Sequence, residues 1–326
     1  MTDRSFLHAL SLDDGGRTLI PTTGAKLRAQ SFLDGRSDFS TGPAVWMEGS
    51  QARPNPPAPP PDRYIFHVGF CGSNLLARLL DQPGRALVLR EPNCLADLAN
   101  QADRPSASSH CAVTLDEGLT EIRSQLRRGW QGGEPVVVKP SNWVNRLLPD
   151  FAAQPAAMRA LFMTIDRPAF VRAIVRGGSD RLGFIARAAL HFSNADDRFP
   201  PLVAKALGWR ADGPARLLAL AAAAHEMQLR LMRQAAARWP DSASISLREL
   251  TADPFVTAAR AAKILGLSLD EARLSQDCRH WAGRHAKAPA NAFSPEAEAS
   301  ARVAIEAELG SLLDETLEWA SVALGD

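Results

Sequence analysis

The stretch Tyr64-Ile65-Phe66-His67-Val68-Gly69-Phe70-Cys71-Gly72-Ser73-Asn74-Leu75-Leu76 decides how the chain is read. Tyr64 to Val68 is a continuous apolar run of the kind buried on both faces of a parallel sheet. Gly69-Phe70-Cys71-Gly72 is a tight loop, and Ser73-Asn74 opens a helix that continues through Leu75 and Leu76. A strand that turns through glycine into a helix points backbone N–H groups at one spot, and the helix dipole favours negative charge there. The dipole alone contributes about 0.3–1 kcal/mol per charge at an exposed end, so several N–H groups must share the anion. Ser73 and Asn74 can add side-chain hydrogen bonds. The segment is read as a seat for an anionic group, in the first place a phosphate. It is not the triphosphate loop G-x-x-x-x-G-K-[ST], because Ser73 follows Gly72 with no lysine between.

Working outward, further apolar runs suited to buried strands occur at Ala86–Leu89, Val136–Val138 and Leu161–Ile165, and a shorter one at Ala243–Leu247. Helical patterns lie between them at Leu75–Leu80, Leu115–Arg128 and Trp143–Leu148. Strands alternating with helices predict an α/β domain, a parallel sheet covered on both faces. The second half is helix-rich. Pro214–Arg238 is rich in alanine and leucine. Asp253-Pro254 opens another helix as N-cap and first helical residue, and Gly266 stops it. A last helix runs from Pro295 to Val322, with Val303, Ile305, Leu309, Leu312, Leu313 and Leu317 as its apolar stripe. Residues 1 to 50 read as irregular. Arg53 to Asp62, with six prolines, reads as a stiff strap. The expected division is an N-terminal segment and strap over 1–62 and one α/β domain over 63–326.

Composition narrows the function classes. The 326 residues are 46% hydrophobic and 22% charged, with a formal net charge of +1. A near-neutral chain has no general attraction for nucleic acid or an anionic membrane, so anion binding must come from local geometry. The longest apolar stretch, Leu217–Ala224, is too short to span a bilayer. The N-terminus has no secretory pattern. Cys71, Cys94, Cys111 and Cys278 are irregularly spaced, which argues against a zinc site or a disulfide framework. Reduced thiols in a cytoplasmic protein are the expectation.

With these motifs in place, the sequence resembles the P-loop sulfotransferases that use 3′-phosphoadenosine 5′-phosphosulfate, and is similar to their uncharacterised bacterial branch. Three regions carry the resemblance. Phe70-Cys71-Gly72-Ser73-Asn74-Leu75-Leu76 stands in place of the family's phosphosulfate loop. Ile245-Ser246-Leu247-Arg248-Glu249-Leu250-Thr251-Ala252-Asp253-Pro254, followed by Ile264-Leu265-Gly266-Leu267, is similar to its strand-and-turn motif. Phe162-Met163-Thr164-Ile165-Asp166-Arg167-Pro168 is similar to the strand that bears its 3′-phosphate arginine. The resemblance implies a P-loop-type sheet with Phe70, Cys71, Gly72, Ser73, Asn74 and Leu75 at the 5′-phosphosulfate and Arg167 at the 3′-phosphate. It also implies a basic, glycine-containing C-terminal segment over that phosphate, here Arg284, His285 and Lys287. Some positions differ from the family's usual residues. Phe70 stands where members usually carry Lys or Arg, Asn74 replaces a threonine, Val175 stands where a serine pairs with the arginine, and Ser141 replaces a histidine.

Sulfuryl transfer needs a base for the acceptor, stabilisation of spreading charge, and in-line reactants. Glu91, in Arg90-Glu91-Pro92 beyond a strand end, is the candidate base. Lys139, at another strand end, is the candidate cation, because ligands of parallel sheets bind beyond the strands' carboxyl ends. Ser141 and Asn142 are candidates for a helix cap or a ligand contact. His67, alone in a buried strand, reads first as a core residue. Cys71 reads as a small packing residue, with a redox role as the alternative. The acceptor is expected to be a small molecule or peptide offering a hydroxyl or amine. The alternatives are an ATP-dependent kinase on the same fold and a nucleotide-binding protein without transfer activity.

Overall fold

The computed structural model describes residues 4–49, 61–102, 111–130, 133–154, 157–210, 213–281, 284 and 295–325. The prolines from Pro54 to Pro60 and the basic residues His285 and Lys287 lie outside them. In chain order the strands are β1 (Arg4–Leu10), β2 (Arg17–Thr22), β3 (Val45–Met47), β4 (Asp62–His67), β5 (Leu87–Arg90), β6 (Val136–Lys139), β7 (Met158–Thr164) and β8 (Ser242–Ser246).

The run that opened the reading is the central strand, β4, of a five-stranded sheet ordered β5-β6-β4-β7-β8, with every pairing parallel. The chain leaves β4 to build one side of this sheet and then builds the other. The carboxyl end of β4 is therefore where the strand order switches and where a ligand crevice is expected. Register brings the strand ends level: Arg90 lies opposite Lys139, His67 opposite Met163, and Thr164 opposite Ser246. Tyr64, Ile65, Phe66, Phe162 and Val137 are buried. Phe66 packs on Phe151, Phe162 and Trp239 with ring centroids 5.4–6.0 Å apart. Such aromatic packing adds about 0.5–1.5 kcal/mol per pair to the area buried.

Residues 1 to 50 are not irregular. β1, β2 and β3 form an antiparallel sheet in that order. A register shift between Leu7 and Ala9 breaks the two-residue alternation that marks a strand in sequence, β2 carries Arg17, Thr18 and Pro21, and β3 has three residues. β1 of this sheet packs on the helix Asn93–Ala102, and Phe6, Leu7 and Leu10 are buried. Gln101 fixes it there, donating to the Leu10 carbonyl and accepting from Leu12 N–H at 2.6 and 2.7 Å.

Asp253 accepts from Val256 N–H to cap the helix Pro254–Leu265, and Gly266 ends it at φ +63°. Arg159 also lies where a Gly266 side chain would be. The segment Trp143–Leu148 is 3₁₀ rather than α-helical, over Asn142–Leu147, and is capped by Ser141. The last helix runs Pro295–Leu324. Leu313 on it is buried, but Val303 is 62% exposed, so the expected stripe does not extend that far toward its start. Among the described residues, no helix is long and apolar enough to cross a membrane.

Candidate functional site

The loop after β4 turns through two left-handed residues, Phe70 at φ 65° and Gly72 at φ 77°. Gly72 is the N-cap of the helix Ser73–Leu80 and makes no side-chain cap. Its glycine identity has two causes. Its φ is left-handed, and a Cβ there would lie 2.9 Å from Leu247 and 3.0 Å from Leu250. The helix Leu247–Ala252, which follows β8 within the strand-and-turn motif, therefore packs directly on the loop. Gly69 is less constrained, since a Cβ there would meet only ordinary contacts with Phe170 and Asn142.

Ser73 and Asn74 are buried. Neither polar atom of the Asn74 amide has a hydrogen-bond partner among the described residues. A buried amide left this way costs about 1–3 kcal/mol, and an anion at the helix start would accept from its Nδ2–H and relieve the donor half. Cys71 donates to the Val68 carbonyl at 2.9 Å. Burial pushes its thiol up to about 11, so it packs as an inert thiol rather than a redox centre. His67 is a core residue. Its ring nitrogens lie 2.9 and 3.0 Å from the carbonyls of Val68 and Pro140.

Glu91 and Lys139 meet. Lys139, fully buried at the end of β6, donates to Glu91 Oε1 at 2.6 Å. Glu91 N–H donates back to the Lys139 carbonyl, also at 2.6 Å. Glu91 sits at φ 53°, a conformation that costs a non-glycine residue on the order of 1–3 kcal/mol and clusters at functional sites. Its neighbour Arg90 is buried elsewhere, bonded to Asp81 and to the carbonyls of Arg28 and Gln30. Arg90 is therefore a structural tie to the N-terminal segment. Ser141 accepts from Trp143 N–H, a helix cap as expected. Asn142 and Asn145 both donate to Gln228.

Arg167 lies beyond the end of β7. Its guanidinium donates to Glu226 at 3.2 Å and to the Gly325 carbonyl at 2.8 Å. Glu226, a buried glutamate on the helix Gly213–Ala236, is also engaged by Arg230 and Arg233 at 2.8 Å. Asp166 caps the helix Arg167–Val175. A cleft of about 510 Å3 opens here, lined by Thr164, Asp166, Arg167, His225, Glu226 and Ser321 among others. Phe170 separates it from the loop, touching Phe70 on one side and His225 on the other.

Arg284 is exposed and follows the helix Glu271–Trp281. Trp281 on that helix lies under Arg78 of the loop helix at 5.3 Å. Glu226, His225 and Arg181 were not legible as site residues, because they sit in helical runs and reach the sheet edge only through tertiary packing. Arg181 lies over the Phe70 ring at 4.9 Å.

No family model matches the sequence, and no curated protein matches it. Among solved structures, the chain is similar to a sulfotransferase domain from the curacin biosynthetic pathway, at 11% identity and TM-score 0.39, over 68% of this chain and 78% of that one. It is similar to a sulfotransferase from Alicyclobacillus acidocaldarius, at 16% identity and TM-score 0.39, over 81% and 96%. It is also similar to the sulfotransferase domain of the Synechococcus PCC 7002 olefin synthase, at 14% identity and TM-score 0.38, over 68% and 78%.

Proposed function

We propose that this chain is a sulfotransferase-like enzyme that moves a sulfuryl group from 3′-phosphoadenosine 5′-phosphosulfate to a hydroxyl or amine. The observation that carries this reading is the Lys139–Glu91 pair at 2.6 Å, set at the same sheet edge as the glycine loop with its unpartnered Asn74 amide. The loop N–H groups and Asn74 take the 5′-phosphate. Lys139 has three N–H donors, of which Glu91 needs one, so an anion can share the ammonium without breaking the pair. Glu91 accepts the proton of the acceptor as its oxygen or nitrogen attacks sulfur. The S–O bond to the phosphate breaks, and the departing charge falls on the phosphate held by the loop and Lys139. Arg167, beside its cleft, takes the 3′-phosphate together with the basic residues Arg284, His285 and Lys287. A kinase reading has less support, because the loop lacks the lysine that triphosphate binding uses.

Thermal-shift titration tests the donor assignment. Adenosine 3′,5′-bisphosphate is expected to raise the melting temperature with a saturating dependence, because binding only to the folded state stabilises it by about 2.7 kcal/mol at one hundred times Kd. ATP with magnesium should give a smaller shift. Indifference to the bisphosphate at millimolar concentration would sink the assignment.

A further inference from the structure

We propose that Arg181 supplies the cation that the loop's own sequence lacks, with Phe70 as its platform, and that it contacts an anion bound at Gly69–Asn74. This rests on the reading of the loop as an anion seat. It assigns a binding role to a residue of the helix Gly178–Ser193, far from the loop in sequence.

Three features hold Arg181 in place. The first is the Phe70 ring, whose centroid lies 4.9 Å from the guanidinium carbon. Phe70 is left-handed at φ 65°, a conformation that costs a bulky residue on the order of 1–3 kcal/mol and a glycine almost nothing. A ring kept there at that cost has a specific use, and it meets Phe170, with centroids 6.0 Å apart, and Arg181. The second is the Ala173 carbonyl, in the last turn of the helix Arg167–Val175. It accepts from Arg181 Nη1 at 2.8 Å, where a helix end favours positive charge. The third is Gly177. Its backbone is of a kind any residue adopts, φ −87°. A Cβ there would nevertheless lie 1.7 Å from Arg181 Cδ and 2.3 Å from Cγ. Glycine at this position therefore makes room for the arginine stem rather than serving a turn.

The chemistry fits the vacancy in the loop motif. An anion carrying two or more charges needs more than the helix dipole. A guanidinium presents five N–H donors in a planar fork and stacks on aromatic faces, so it can rest on Phe70, bond a carbonyl and offer donors to anion oxygens together. The loop itself carries no Lys or Arg from Gly69 to Asn74, and its ring holds a cation from another element.

Calorimetric titration of the full chain with inorganic pyrophosphate and with adenosine 3′,5′-bisphosphate, at low and moderate salt, tests this. Arg181→Gln should weaken both by roughly ten-fold or more and flatten the salt dependence. Arg181→Lys should recover part of the loss. Gly177→Ala should weaken binding in the same direction by displacing the stem, and the double variant with Arg181→Gln should be no worse than Arg181→Gln alone. Unchanged affinity and salt dependence in Arg181→Gln overturns the proposal, as does full additivity with Gly177→Ala. If the wild type binds pyrophosphate but not the bisphosphate, the nucleotide assignment falls and the pyrophosphate series still decides Arg181. If it binds neither, both fall.

Discussion

Glu91→Gln is expected to destabilise the protein by about 3–5 kcal/mol and to abolish sulfuryl transfer. The stability cost follows from burial. Lys139 is fully buried and Glu91 is its ionic partner, so removing the carboxylate charge leaves an ammonium in the interior without compensation. The catalytic cost follows from the role of Glu91 as base, a role that contributes about 10²–10⁴-fold in rate. Adding Lys139→Met to Glu91→Gln separates the two effects. Taking out both charges removes the uncompensated ion, so the double variant should recover much of the lost stability while turnover stays absent. Urea denaturation of the four proteins of this cycle measures the first, and release of adenosine 3′,5′-bisphosphate measures the second. A Glu91→Gln protein as stable as wild type would show that Lys139 has another anionic partner. Recovered turnover in the double variant would remove Glu91 and Lys139 from the chemistry.

A second large effect is expected with pH. His225 is buried between the Arg167 cleft and Phe170, and its Nε2–H donates to the Ile165 carbonyl at 2.8 Å. Its Nδ1 has no partner among the described residues, so a second proton would enter an unsolvated position. Burial is the main cause that lowers its pKa to about 4, with Arg167 acting in the same sense and the Ile165 bond, Glu226 and Asp166 opposing it. In the unfolded chain the imidazole takes its proton near 6.5. Between these values the unfolded state binds more protons, so stability must fall as pH drops from about 6.5 toward 4, by roughly 3 kcal/mol from this one residue. His8, also lowered by burial, acts in the same direction. Asp196 is lowered too, but its contribution is lost only below the carboxylate range, outside this window. His225→Gln keeps an N–H for Ile165 and should flatten the profile between pH 6.5 and 4. An equally steep profile in that variant would place the dependence elsewhere.

Much of the sheet was legible because β4, β5, β6 and β7 are apolar on both faces, and buried parallel strands write that as continuous runs. Asp253 and Gly266 were legible for a different reason, since caps are set by local backbone chemistry. The N-terminal sheet was not. A bulge breaks the alternation of β1, β2 carries Arg17, Thr18 and Pro21, and the sheet packs on the helix Asn93–Ala102, a contact about ninety residues away in sequence. At the site, strand ends pointed to Glu91 and Lys139, and the register of β5 with β6 explains why they meet. The left-handed turns at Phe70 and Glu91 were invisible, since neither residue type signals a positive φ. Glu226, a partner of Arg167, lies in an alanine- and leucine-rich helix whose sequence gives no sign of which face meets the end of β7.

A crystal structure of the protein with adenosine 3′,5′-bisphosphate tests the central claim most directly. The 5′-phosphate is expected on the backbone N–H groups of Phe70 to Asn74, with the Asn74 amide and Lys139 Nζ within hydrogen-bond distance and the Lys139–Glu91 pair intact. A nucleotide bound away from this loop, with the Asn74 amide still unpartnered, would contradict it.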